Sequence, residues 1–293
     1  MSKGSDNFRG AALMMASTAG FVFNDAMIKL AADNISLFQI IFLRGLLAST
    51  LMALLAWKTK SLLPVLRKSD WSLLAYRVVG EIGATLCYLT ALFNMPLANA
   101  TAILQVLPLA VTLGAALFIG ESIGWRRYLA IIIGFVGVLI IIRPGVSGFN
   151  TYSLWVLAAV AFIALRDLTT RRISAHVPST FVALLASVAI TVTGAVFATS
   201  MDWKPVDATN LKLLVAAALF LICGYLFGVM AMRVGQISFI SPFRYSTLIW
   251  AIILGFIVFG ETPDGWTTIG SAIVIFTGIY TFYRERKIEN INQ

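Results

Sequence analysis

Phe118-Ile-Gly-Glu-Ser-Ile-Gly-Trp125 and Phe259-Gly-Glu-Thr-Pro-Asp-Gly-Trp266 are two versions of one phrase, each leading into an apolar run, the first ending at Arg143 and the second at Arg284. Glu121 thus matches Glu261, Trp125 matches Trp266 and Gly137 matches Gly278, an offset of about 140 residues. Working outward, Asp25 followed by Lys29 recurs as Asp167 followed by Arg171, and Ala91 recurs as Ala231. Each copy holds five apolar stretches of membrane length. A unit with an odd number of spans leaves the bilayer on the side opposite to where it began, so the second copy is expected upside down relative to the first. Inverted repeats around a midplane site are the plan of many secondary transporters.

The composition agrees with a bilayer. Hydrophobic residues make up 59% and charged residues 12%, with a mean hydropathy of +0.90. Soluble domains carry about twice that charge. A spanning helix needs roughly 20 apolar residues, and ten such stretches are read: 10–32, 37–57, 71–93, 97–119, 126–142, 152–170, 177–199, 211–232, 236–259 and 266–283. The expected fold class is therefore all-α integral membrane, ten transmembrane helices arranged as two inverted-topology five-helix repeats, 10–142 and 151–283.

The formal charge of +9 is distributed as a membrane protein distributes it. With the N-terminus cytoplasmic, the inside segments hold Lys3, Arg9, Lys58, Lys60, Arg67, Lys68, Arg126, Arg127, Arg171, Arg172, Arg233, Arg284, Arg286 and Lys287, against Lys29, Arg143, Lys204 and Lys212 outside. The positive-inside rule then sets both termini in the cytoplasm of a multi-pass protein of the cell inner membrane. The basic excess needs no nucleic-acid partner. Trp57, Trp71, Trp125, Trp155, Trp203 and Trp266 fall at predicted helix ends, where an indole belongs among headgroups, whereas Trp250 sits mid-span. Cys87 and Cys223 lie inside predicted helices without metal-ligand spacing, and His176 stands in a cytoplasmic loop beside Pro178. The first apolar stretch is too long for a signal-peptide core and reads as an uncleaved span.

Charged groups within spans are costly and each requires an explanation. Asp25 and Lys29 share a face one turn apart, as do Asp167 and Arg171, with Asn24 and Arg166 extending the polar surface. These are either structural ion pairs or carboxylates at the two mouths of one cavity. Glu81 lies roughly 15 Å into the third helix, with Arg77 one turn before it as a ready partner. Arg44 is about 10 Å below the outer end of the second helix and has no acid at helical spacing. Arg244 resembles it, set in Ser241-Pro-Phe-Arg-Tyr-Ser246, where Pro242 removes a backbone donor and frees carbonyls. Pro96 and Pro108, with Asn94, Asn99 and Gln105, make the third-to-fourth hairpin polar and bendable. Tyr88, Tyr225 and Tyr245 offer a ring face and a hydroxyl to a ligand or to packing. The glycines at 80, 83, 134, 137, 224, 228 and 255 read as helix-packing positions.

Taken together, the Gly120–Glu121 and Gly260–Glu261 pairs, the residues that follow them and the Gly-rich fifth and tenth helices resemble the ten-helix EamA-type transporters of the drug/metabolite transporter superfamily, over nearly the whole chain. Asn24-Asp-Ala-Met-Ile-Lys29, Phe42-Leu-Arg-Gly45 and Pro242-Phe-Arg-Tyr-Ser246 look most like the branch of S-adenosylmethionine and riboflavin carriers. The resemblance implies passage of a small metabolite through a central cavity by alternating access. It also implies a structural role for Glu121 and Glu261.

The expected function is a secondary transporter of a small organic metabolite bearing a carboxylate and an amine. Arg44 and Arg244 would hold the anionic end, Asp25, Glu81 or Asp167 the cationic end, and aromatic side chains the body. Export of a drug, a vitamin or a nucleotide-like metabolite such as riboflavin is the alternative. The chain lacks a Gly-rich Lys-Ser/Thr nucleotide loop. An intramembrane enzyme would need a nucleophile with its base or a metal cluster, and the sequence supplies neither, so no catalytic residue, metal or cofactor is assigned. Channels usually build their filters from oligomer symmetry. Proton coupling, exchange and passive flux stay open, as does the choice between monomer and homodimer.

Overall fold

The computed structural model describes residues 3–120, 124–144, 149–174, 176–201, 203–234 and 240–289. Glu121, half of the repeated Gly-Glu pair, lies outside them. The first half of the chain contributes α1 (Lys3–Ala31), α2 (Leu37–Lys58), α3 (Lys68–Asn94), α4 (Leu97–Leu104), α5 (Leu107–Gly114) and α6 (Trp125–Ile142). The second half contributes α7 (Tyr152–Arg172), α8 (Ser179–Ala198), α9 (Ala208–Val234), α10 (Ser246–Phe259) and α11 (Gly265–Glu289).

Eight stretches among the described residues are long and apolar enough to cross a membrane: Asp6–Ala31, Leu37–Lys58, Leu97–Ile119, Trp125–Ile142, Tyr152–Arg172, Ser179–Ala198, Ala208–Gly228 and Pro242–Phe259. Helix α3 has the length, 27 residues, but Lys68, Asp70, Arg77 and Glu81 crowd its first half. Helix α11, 25 residues long, is uncharged over 265–283 before it ends in Arg284-Glu-Arg-Lys287.

Of the three prolines expected to loosen the chain, Pro96 sits at the start of α4, whereas Pro108 and Pro242 mark breaks within apolar stretches. Pro108 cannot donate to the carbonyl four residues back, and the fourth apolar stretch breaks between α4 and α5. At the break Gln105 and Val106 donate instead to Ala102 and Ile103, three residues back. The stretch then relaxes into a π-helical turn, Ala115–Ile119, and ends at Gly120 with φ 78°. Pro242 opens a 3-10 turn, Ser241–Tyr245, before α10, which ends at Gly260 with φ 64°. A left-handed residue at a helix end favours glycine because a side chain there meets the backbone. Both repeats of the Gly-Glu phrase use it to turn the chain.

The closest helix pairs cross between the halves: α1 with α9, α3 with α7, α2 with α8, and α6 with α11. Each seam is set at glycine. A Cβ added to Gly20 would come 2.8 Å from the Phe220 carbonyl oxygen and 2.9 Å from the Gly224 nitrogen. On α3 the Gly80 position approaches the Phe162 carbonyl and Arg166, while Gly83 faces the Phe162 ring. Gly45 meets Thr191 while Gly194 meets Phe42, so α2 and α8 run antiparallel. The α6–α11 pair does the same, with Gly134 against Thr277 and Gly137 against Gly270. Without water to drive helices together, close backbone approach at small residues supplies the dispersion energy of association.

The six end-of-helix tryptophans are all exposed, from 44% for Trp155 to 69% for Trp125. That suits an indole among headgroups. Trp250 is half-buried, and its Nε1–H donates to the Met15 carbonyl at 3.1 Å.

Candidate functional site

Two polar clusters lie among the helices, one within the first half and one between the halves, each toward a different end of the bundle. The first is built on α1, α2 and α3. Asp25 and Tyr88 each stand six residues before the ends of α1 and α3, and Arg44 stands seven after the start of α2. All three are thus about 9–10 Å beneath the same rim. Asn24 Nδ2 and the Tyr88 hydroxyl each donate to the Asp25 carboxylate at 2.8 Å, and Arg44 donates to Asn24 Oδ1 at 3.3 Å. Asn24 is only 2% exposed, whereas Asp25, Arg44 and Tyr88 are partly accessible. The Tyr88 hydroxyl also engages the buried Thr101 of α4.

The second cluster joins α3 and α7. Glu81, at the midpoint of α3, is held by Arg77 at 3.5 Å and by Arg166 at 3.4 Å. Arg166 also pairs with its neighbour Asp167 at 2.8 Å, and Arg77 Nε donates to Thr170 at 3.0 Å. Because α3 and α7 are antiparallel, with Gly80 by Arg166 and Gly83 by Phe162, this cluster runs from mid-bundle toward the rim opposite the first.

Tyr225 on α9 stands between them. Its hydroxyl lies in the electrostatic field of Glu81, Arg166, Arg44 and Arg77, which come from three other helices. The residue is nonetheless 48% accessible. The Tyr225 side chain thus faces charges carried by α2, α3 and α7.

Arg244 does not join Arg44. It is exposed, and its electrostatic partners are Asp167 and Tyr245, whereas those of Arg44 are Asp25, Tyr225 and Glu81. The two arginines sit on opposite sides of the Glu81 level. Gln105 and Tyr245 are buried at 9% and 5% exposure, and Gln105 Nε2 and the Tyr245 hydroxyl have no partner among the described residues.

The helical spacing of Asp25 to Lys29 did not produce an ion pair. Lys29 Nζ instead reaches Glu261 at 2.7 Å and the Met95 carbonyl at 2.8 Å, over the Phe259 ring. Glu261 takes the Leu97 N–H on its other oxygen at 2.8 Å, capping α4. Likewise Asp167 pairs with Arg166. The structural role expected of Glu261 is thus met by a tie across the rim above the first cluster. That rim is further joined by the Arg143–Asp264 ion pair and by Gln39, whose side chain bonds both the N–H and the carbonyl of Lys204.

Spacing gave no signal for Thr101, Thr18 or Ser17. Thr18 bonds Ser246 at 2.7 Å and Ser17 bonds the Gly224 carbonyl at 2.6 Å, across more than 200 residues. A helical Ser or Thr usually bonds its own preceding turn, so its sequence position does not reveal a distant partner.

Comparison with known proteins adds a second line of observation. The EamA-like transporter family matches residues 8–143 and again 150–284. The chain is 31% identical over 219 residues to a riboflavin transporter of Vibrio cholerae, covering 74% of this chain and 72% of that one. It is 26% identical to the pseudopaline exporter CntI of Pseudomonas aeruginosa, over 90% and 93%. It is 28% identical to an S-adenosylmethionine uptake transporter of Rickettsia conorii, over 67% and 66%. A crystal structure covering 98% of this chain and 100% of its own superposes with a TM-score of 0.63 at 19% identity, a likeness of fold alone.

Proposed function

The chain belongs to the EamA-like transporter family, a multi-pass membrane family of the drug/metabolite transporter superfamily, and from that premise we propose that it carries a small carboxylate-bearing metabolite by alternating access between its halves. The halves, 10–142 and 151–283, are read as inverted five-helix repeats in the inner membrane with both termini cytoplasmic. Antiparallel α2 and α8, and antiparallel α6 and α11, support that inversion, because they are the second and fifth spans of each half.

One observation carries the substrate class. Among the described residues Arg44 makes no ion pair, and its hydrogen bond goes to an amide oxygen at 3.3 Å. Asp25, the acid nearest in the cluster, is already occupied by Asn24 and Tyr88. A guanidinium about 10 Å inside a span, with donors to spare, is costly until an anion arrives. It offers a planar carboxylate two parallel bonds. Asp25 and the Glu81–Arg166–Asp167 cluster would face the cationic end, and Tyr225 the body.

A second reading, a vitamin or nucleotide-like cargo, is supported by the accessible Tyr225 ring and by the riboflavin and S-adenosylmethionine relatives. Counterflow in proteoliposomes against amino acids, S-adenosylmethionine, riboflavin and nucleotides separates the two. For a carboxylate cargo, Arg44→Gln raises the half-saturation concentration about tenfold or more, the loss of one charge-assisted contact. The amide of the same cargo is insensitive to that change. Equal sensitivity of acid and amide removes the carboxylate reading.

A further inference from the structure

The outer surface carries a feature that transport does not use. A groove of about 550 Å³ runs between α6 and α11, lined by Trp125, Arg126, Leu129, Ile133, Phe276 and Tyr280 among others. Its walls are apolar and strongly exposed, with Phe276 at 73%, Leu129 at 48% and Ile133 at 43%. From Trp125 to Ile133 the wall extends about 12 Å along α6, the depth of an acyl chain's upper half. The polar groups stand at one end. Arg126 lies over the Trp125 ring at 5.4 Å, and among the described residues it has no acidic partner. Helix α11 continues past this end through Arg284, Arg286 and Lys287.

We propose that this groove is a binding site for one anionic phospholipid, its phosphate on Arg126 and one acyl chain along Leu129, Ile133 and Phe276. Apolar walls at bilayer depth are filled by lipid tails whatever the headgroup. Selectivity comes from the mouth, where an unpaired guanidinium fixed by an indole favours a headgroup of net negative charge. Basic pockets between spanning helices at the headgroup level hold anionic lipids for this reason. The location gives the lipid a task. Helices α6 and α11 belong to different halves and meet at Gly137 and Gly270. A tail wedged along their outer side therefore ties the halves together.

The test uses the full chain in detergent, with phosphatidylglycerol, phosphatidylcholine and inorganic phosphate as probes, read by native mass spectrometry and thermal unfolding. Wild type is expected to retain phosphatidylglycerol about tenfold more strongly than phosphatidylcholine and to melt higher with it, while free phosphate gives no shift. Arg126→Gln abolishes the preference and leaves phosphatidylcholine binding intact. Arg127→Gln, one residue away and outside the groove lining, preserves it. Ile133→Trp fills the groove and lowers occupancy by both lipids. Equal retention of the two lipids by wild type overturns the proposal. So does an equal loss in Arg126→Gln and Arg127→Gln, which is a general surface-charge effect. A dimer that disappears in Ile133→Trp assigns the groove to a second copy of the chain and overturns it too.

Discussion

Lys29 and Glu261 are 13% and 21% exposed, and between them they make three further bonds to backbone and ring. Bonds to charged groups at such sites contribute about 1.5–3 kcal/mol, so Glu261→Ala is expected to cost about 2 kcal/mol of stability in a thermal unfolding series. Glu261→Gln keeps an acceptor for the Leu97 N–H and costs less. Combining it with Lys29→Met gives a coupling energy of about 1 kcal/mol; strict additivity means that the two side chains do not interact. At the opposite rim Asp70, just before the apolar part of α3, is fully buried. The Ser174 hydroxyl at 2.7 Å, aided by the N–H groups of Ser174 and Arg67 and by His176, holds its carboxyl below the usual carboxylate range despite burial. A depressed carboxylate stabilises the fold above its unfolded value, near 4, and loses that contribution as pH falls through the folded value. Wild type is therefore expected to lose more melting temperature than Asp70→Asn between pH 5 and pH 3. Parallel curves would refute this. Sequence spacing made Arg77 the nearest partner for Glu81, and it is one of two. It gave the wrong partner to Lys29, because helical periodicity reveals only neighbours on one helix and Glu261 is 232 residues away.

At the scale of elements, glycine sets how closely the halves approach. Gly20 meets the backbone of α9, which cannot rotate away, so Gly20→Val overpacks the seam and costs about 1–3 kcal/mol. Gly265 has nothing within 4 Å of its Cβ position, and Gly265→Ala changes stability by less than about 0.5 kcal/mol. Similar losses from both substitutions would show that the seam does not govern stability. Hydropathy made the apolar stretches legible, and Pro108 and Pro242 announced the breaks near α5 and α10. Hydropathy treated α3 as an equal span, but its charged first half is met by Arg166 of α7 and by Ser174 in the turn that follows α7.

For the whole molecule, the repeat announced two units but not that they interlock. Helix α1 packs chiefly on α9 and α3 chiefly on α7, so neither half buries its polar face alone. Residues 1–148 expressed alone are expected to be degraded, and co-expression with 149–293 to restore both fragments in one complex, read by affinity capture. A first half that accumulates unaided would contradict this. Interlocking also has a consequence during synthesis. Ser17 finds its acceptor at Gly224, 207 residues later in the chain. At roughly 5–20 residues per second the ribosome needs about 10–40 s to deliver it. Throughout that interval the polar side of the first helix has only its own turns to bond, as Thr18 does with Met15 and Asn24 with Asp25, and the bonds that lock it in place come last.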